Sequence, residues 1–296
     1  MGIRRLEDKC NECMLCVQDC IAGVWRDIAG LPTVVDPELC NHCSHCLAVC
    51  PQSAIEHDAL DAEQAQRIGK KLLDPEVYRE IVISRRSVRQ YQDRPVPREI
   101  IEDIISLARH SPTASNLQNV QYIVVTDKEL IQKISRRIFA ISNRILKWIQ
   151  NRWGKIIYRT FARGDFARSL SRYLKVMDYY KEKAKEGRDY ILHNAPVLIL
   201  LHAPARSNFS CDNCNIAATN ITNYSHALGL GTCYIGFLTM SLRLDRTLRR
   251  WVDVPKGRRV FASLVLGYPA YSYTFTGSRK EPKVRWIEGS SPSAGK

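Results

Sequence analysis

The order of elements along the chain predicts an α+β protein in two parts, a small metal-stapled module followed by a larger domain of mixed sheet and helices. Three observations carry that expectation. Cys10, Cys13, Cys16 and Cys20 are spaced C-x2-C-x2-C-x3-C, and Cys40, Cys43, Cys46 and Cys50 repeat the spacing, ending in Pro51. Beyond them, helical and strand-like segments follow one another in mixed order, with neither a Gly-x-Gly-x-x-Gly fingerprint nor a P-loop, which argues against a doubly wound sheet. The 296 residues leave room, after the cysteine module, for one domain of about 200 residues.

The doubled run has the spacing with which bacterial ferredoxins hold [4Fe–4S] clusters. A tight C-x2-C-x2-C loop offers three thiolates to three corners of one cubane, and the fourth cysteine of each run ligates the other cubane. Cluster I is therefore expected on Cys10, Cys13, Cys16 and Cys50, and cluster II on Cys40, Cys43, Cys46 and Cys20. This crossing staples together about sixty residues, too few for stability from apolar burial alone. Zinc needs four ligands and leaves the third cysteine of each loop surplus. A disulfide framework needs an oxidising compartment, and the first ten residues contain no apolar leader-like stretch. Eight reduced thiolates point to the cytoplasm. His42 and His45 read as surface residues or as neighbours of the ligands.

The elements of the larger part follow from periodicity. The module spans 1–60 and a polar, helix-favouring linker 61–75. Pro75 then opens a helix over 76–84, and Pro97 precedes an amphipathic helix over 98–109. Strands are expected at 121–126, 196–202, 232–237, 260–267 and 284–287, and an apolar helix over 213–228 with Gly229 as its cap. Residues 129–188 read as helices broken near Gly154 and Gly164, and 289–296 as a frayed tail. The longest apolar run, 195–201, suits a buried strand and is far too short to span a membrane.

The net charge of +14 is unevenly distributed. Residues 1–60 carry four basic against nine acidic side chains, and 131–190 carry sixteen against five. Apolar residues at helical spacing interrupt the basic block (Ile141, Ile145, Trp148, Ile149), so it reads as solvated helix faces rather than a nucleic-acid surface. A docking face for an acidic redox partner is the sharper alternative.

Four further segments, in order, are Arg85-Arg86-Ser87-Val88-Arg89, the 111–118 loop with Pro112, Thr113, Asn116 and Gln118, the 229–236 turn with Tyr234, Ile235 and Gly236, and Leu266-Gly-Tyr-Pro leading to Arg279. Together they resemble the FMN-dependent nitroreductase family over residues 76–288. The resemblance implies a nitroreductase-like mixed sheet flanked by helices, an obligate homodimer sharing two flavin sites, and a lid or insert at 138–190. It implies that Arg85, Arg86, Ser87 and Arg89 contact the flavin ring edge, ribityl chain and phosphate. Pro112, Thr113, Asn116 and Gln118 then reach FMN from the partner subunit, Tyr234, Ile235 and Gly236 lie near flavin N5, and Arg279 contacts the phosphate. The chain departs from the family after Gln118, where Asn119-Val120 replaces Pro-Trp. Cys233 reads as a small buried residue. Cys211 and Cys214 read as structural thiols, with a redox pair or an intersubunit metal site as the alternative.

The expected function is that of an iron–sulfur flavoprotein oxidoreductase. Electrons from a low-potential donor such as ferredoxin, or from NAD(P)H, pass through two clusters to FMN and on to a nitroaromatic, quinone or activated alkene. The alternatives are a non-catalytic electron-transfer flavoprotein and a dehydrogenase running in reverse. No residue stands out as an obligatory acid or base.

Overall fold

The computed structural model describes residues 2–61, 68–69, 73–151, 153–154 and 179–287. The linker core, most of the expected lid beyond 154, Gly164 and the tail lie outside these residues.

The module is built from short pieces. β1 (Ile3–Arg5) pairs antiparallel with β4 (Ile55–His57), bringing the two ends of the module together. Between them, β2 (Trp25–Ile28) and β3 (Leu31–Val34) form a hairpin whose two turn residues, Ala29 (φ 52°) and Gly30 (φ 82°), both adopt positive φ. That is the turn geometry that matches strand twist in two-residue hairpins. Each cysteine run ends in a one-turn helix, α1 (Leu15–Asp19) and α2 (His45–Val49). The apolar core is small: Ile3, Cys16, Val24, Trp25 and Ile55 are its buried members. Bound metal is needed to supplement so little burial.

The larger domain is a four-stranded antiparallel sheet covered on both faces. Its strands are β5 (Gln121–Val125), β6 (Val197–Pro204), β7 (Gly231–Tyr234) and β8 (Arg258–Gly267), in the order β5-β6-β8-β7. Double coverage explains why β6 is apolar at consecutive positions rather than alternating. Leu198 and Leu200 pack beneath α5 (Lys128–Gln150), α7 (Gly236–Leu244) and α8 (Arg246–Trp251). Val197, Ile199, Leu201 and Ala203 pack on the opposite side, beneath α4 (Arg98–Ala108) and α6 (Ser210–Ala227). A bulge at Leu201/His202, opposite Phe261, switches the parity of β8, so Val260 joins the first core while Ala262, Leu264 and Leu266 join the second. A further helix, α3 (Pro75–Ser84), starts with the Asp74 carboxylate accepting the Glu76 N–H at 2.9 Å.

Two expectations need correction. The strand expected at 232–237 ends at Tyr234: the Ile235 N–H still extends the ladder to Ser263 O of β8 at 2.8 Å, but Gly236 already opens α7. No strand forms at 284–287, where Val284, Trp286 and Ile287 are 60%, 80% and 87% exposed. Their β-favouring side chains find no neighbouring strand among the described residues. Among those residues no helix is long and apolar enough to cross a membrane.

Candidate functional site

In the module, each loop approaches its metal site through paired left-handed residues. Glu12 and Met14 (φ 58° and 60°) match His42 and Ser44 (φ 54° and 61°) at equivalent positions. This curls the backbone so that the Glu12 N–H lies 3.4 Å from Cys10 Sγ and the His42 N–H lies 3.4 Å from Cys40 Sγ. Inward-facing amides of this kind stabilise anionic thiolates. Cys10, Cys13, Cys16 and Cys50 line one small cavity, and Cys20, Cys40, Cys43 and Cys46 line a second. Trp25 borders both cavities. Cys50 Sγ also accepts the Ala54 N–H at 3.2 Å. Burial pushes the free Cys16 thiol up to about 11 and raises Cys46, a cost that metal binding must offset because only thiolates ligate. The eight sulfurs around two small cavities suit two iron–sulfur cubanes as a donor set.

His57, which the sequence did not single out, is buried beside the second site. Its Nδ1 accepts the Ala59 N–H at 3.1 Å, which places the proton on Nε2, 3.4 Å from Cys40 Sγ. Cys40, His42 and His57 bring ligand-type atoms within 4.8 Å of one another, but with both of its nitrogens engaged His57 donates to a thiolate rather than ligating a metal. Burial also holds its pKa down, favouring the neutral ring. His45, by contrast, is a surface residue 3.3 Å from Asp19.

The second centre is assembled at the end of the large sheet. Arg85 caps α3, and the chain turns there into an extended run, residues 87–92. Ser87 bridges to Thr232 of β7, and the Val88 N–H donates to Thr232 O at 2.9 Å. On the other side the Gln92 N–H donates to Tyr268 O, and the Ala270 N–H to Gln90 O, both at 2.9 Å. The arginine segment is thus clamped between β7 and the chain leaving β8. Gly231 permits this approach, since a Cβ there meets the Val88 side chain at 2.5 Å.

Arg86 Nη1 occupies the space that a Cβ on Gly277 would fill, and Arg279 Nη1 lies 3.1 Å from the same point. Among the described residues neither guanidinium has a carboxylate partner. Two such forks converging on one point form a site for an anionic group such as phosphate. Beside them a cavity of about 470 Å3 is lined by Arg85, Arg86, Thr232, Tyr271 and Tyr273 among others, roomy enough for a cofactor.

Other predicted residues take varied places. Tyr234 is 41% exposed, and its hydroxyl lies 3.5 Å from Asn215 O and Thr219 Oγ1 on α6. Ile235 is a buried core residue, while Gly236, like Tyr234, is exposed. Burial pushes the Cys233 thiol up, while Arg89 and Ser87 pull the other way. His193, missed in the sequence, sits near Arg89 and Asp189; burial holds its pKa down. It and Asn194 adopt positive φ (61° and 50°) just before β6, and a His-Asn pair ahead of Ala-Pro was the available signal. Cys214 is fully buried on α6, its thiol pushed up to about 12 by burial, whereas Cys211 is exposed. The two therefore face different surroundings.

Pro112, Thr113, Asn116 and Gln118 lie on a loop pinned to α6. The Ala114 N–H donates to Asn213 Oδ1 at 3.2 Å, Asn220 Nδ2 to Ser111 Oγ at 2.9 Å, and the Gln118 N–H to Thr113 Oγ1 at 3.0 Å. None of the four lines the cavity beside Arg86. The Asn116 amide turns instead to the cysteine module, donating to Asn41 O at 3.1 Å and His42 O at 2.8 Å, while Gln118 Nε2 donates to its Oδ1 at 3.1 Å.

Residues 82–268, more than half of the chain, match the family model described as the nitroreductase family. The chain belongs to the nitroreductase family. Residues 9–55 match a second model, the 4Fe-4S dicluster domain, so this member carries an iron–sulfur module ahead of the nitroreductase domain. A putative NADH dehydrogenase/NAD(P)H nitroreductase of Methanothermobacter thermautotrophicus is 26% identical over 195 residues, covering 64% of this chain and 76% of its own. An FMN reductase [NAD(P)H] of Bacillus subtilis is 28% identical over 199 residues, covering 67% and 66%. A solved nitroreductase with bound FMN from Bacteroides fragilis superposes with a TM-score of 0.52 at 17% identity, covering 71% of this chain and 98% of that one, and shares the fold.

Proposed function

We propose that this nitroreductase is an iron–sulfur flavoprotein that takes electrons from a low-potential donor through two [4Fe–4S] clusters to FMN and delivers them to a small organic acceptor. The observation that carries the flavin part is the convergence of Arg86 and Arg279 beside Gly277 with no carboxylate partner among the described residues. Arg86 and Arg279 hold the phosphate in this reading. Arg85, Ser87 and Arg89 run along the ribityl chain and ring edge, and the Tyr234–Gly236 turn lies near the reactive nitrogen.

Because Pro112, Thr113, Asn116 and Gln118 stand away from the arginine cavity of their own chain, the reading takes this loop from a second subunit, as in the family the sequence resembles, although the amide of Asn116 itself is turned to the cysteine module. The protein then works as a homodimer. FMN supplies the two-electron chemistry, and the polypeptide binds and orients it. Cluster ligation follows the two cavities, with Cys10, Cys13, Cys16 and Cys50 on one cubane and Cys20, Cys40, Cys43 and Cys46 on the other. The names of the relatives above support an acceptor or donor of the nitroaromatic, flavin or nicotinamide classes. Reduced thiolates of this number favour the cytoplasm.

Anaerobic purification followed by an ultraviolet–visible spectrum tests the reading. The expected result is broad iron–sulfur absorption that partly bleaches with dithionite, overlaid on flavin bands that disappear. A colourless protein carrying zinc contradicts it.

A further inference from the structure

The module is joined to the nitroreductase domain at Asn116, and the bond it makes there leads to a cluster ligand. Asn116 Nδ2 donates to Asn41 O at 3.1 Å. The other end of that same peptide group is the His42 N–H, which points to Cys40 Sγ at 3.4 Å. A donor on the carbonyl of a peptide polarises its N–H and strengthens the bond that N–H donates. The second donation, to His42 O at 2.8 Å, holds the amide in register. Two left-handed residues, Ser115 (φ 50°) and Asn116 (φ 52°), and the Gln118 bond to Oδ1 fix the orientation of the side chain. The first cysteine loop has a different setting. Its cavity, like the second, is lined by module residues, but among the described residues its loop receives no hydrogen bond from the nitroreductase domain, and Cys13 is exposed.

We infer that the Cys40–Cys46 cluster is the outlet of the module and that Asn116 is its positioning residue, coupling the nitroreductase domain to Cys40 through the 41–42 peptide. The inference rests on the reading above that both cofactors are bound. Each passage removes one electron from this cluster and adds one to the acceptor in the nitroreductase domain. A two-electron acceptor is filled by two passages, and a low-potential one-electron carrier restores the module at the exposed Cys13 side. Hydrogen bonds to ligating sulfur raise cluster potentials by stabilising the extra negative charge of the reduced state. Asn116 and His57 both act on Cys40, one through the peptide and one directly, so the outlet cluster is sensitive to the domain it serves.

The test is a redox titration of the full anaerobic protein, followed by electron paramagnetic resonance, in the parent and in Asn116→Asp and Asn116→Ala. The Cys20→Ser variant assigns the signals by losing one of them. The expected result is a shift of the Cys40–Cys46 cluster to more negative potential in both Asn116 variants, with the other cluster unmoved. Gln118→Ala, which keeps the donor but loosens it, shifts the same cluster by less. An unmoved potential, or an equal shift of both clusters, overturns the inference. FMN content, measured on the same samples, separates this outcome from failure of the flavin reading: a protein that never binds FMN still reports whether Asn116 moves the cluster.

Discussion

Arg86→Ala combined with Arg279→Ala is expected to lower FMN affinity by about 100-fold or more while leaving both clusters in place. Hydrogen bonds to charged groups contribute about 1.5–3 kcal/mol each. Losing one from each arginine therefore costs about 3–6 kcal/mol, and every 1.4 kcal/mol is about tenfold in the dissociation constant. Neither guanidinium has a carboxylate partner among the described residues, so their removal leaves no buried charge unpaired and the fold is retained. Titration of apoprotein with FMN, read by quenching of flavin fluorescence, gives the number. Gly277→Leu reaches the same end by another route, because its side chain takes the place of Arg86 Nη1. Unchanged affinity in both variants places the phosphate elsewhere.

Cys20→Ser is expected to remove one cubane, and specifically the one whose other ligands lie twenty or more residues later. Cys20 lines the cavity of Cys40, Cys43 and Cys46 rather than that of its own run. Iron should fall from about eight to about four atoms per chain. Alkylation under anaerobic conditions should then label Cys40, Cys43 and Cys46 while Cys10, Cys13 and Cys16 stay protected. Labelling of Cys10, Cys13 and Cys16 instead contradicts the crossed ligation. The effect on stability should also be large, because the crossed ligands join the two ends of a module with few buried apolar residues.

What could be read in advance was local. The cysteine spacing, the prolines that start α3 and α4 and the apolar run of β6 each rest on residues close together in sequence. The same holds for Arg85-Arg86-Ser87, because the turn at the end of α3 and the strand-like exit are encoded within a few positions. What escaped was set by partners far away. Val284, Trp286 and Ile287 have the composition of a strand, yet a strand needs a neighbour, and none is offered among the described residues. Ile235 still makes a ladder bond to Ser263, but the strand stops there because Gly236 turns the chain into a helix. His57 gave no signal because its meaning lies in Cys40, 17 positions earlier. Asn116 was expected as an FMN contact from its loop motif, whereas its bonds to Asn41 and His42 depend on how two domains meet.

The central claim is that electrons reach the flavin through the clusters. The most direct test is the rate at which reduced ferredoxin bleaches bound flavin in the parent protein and in Cys43→Ser, at matched FMN content. The account predicts that bleaching in the variant falls to the rate seen without carrier, while free dithionite still reduces its flavin. Equal rates in the two proteins contradict it, since they show the flavin being charged without the cluster that adjoins Asn116.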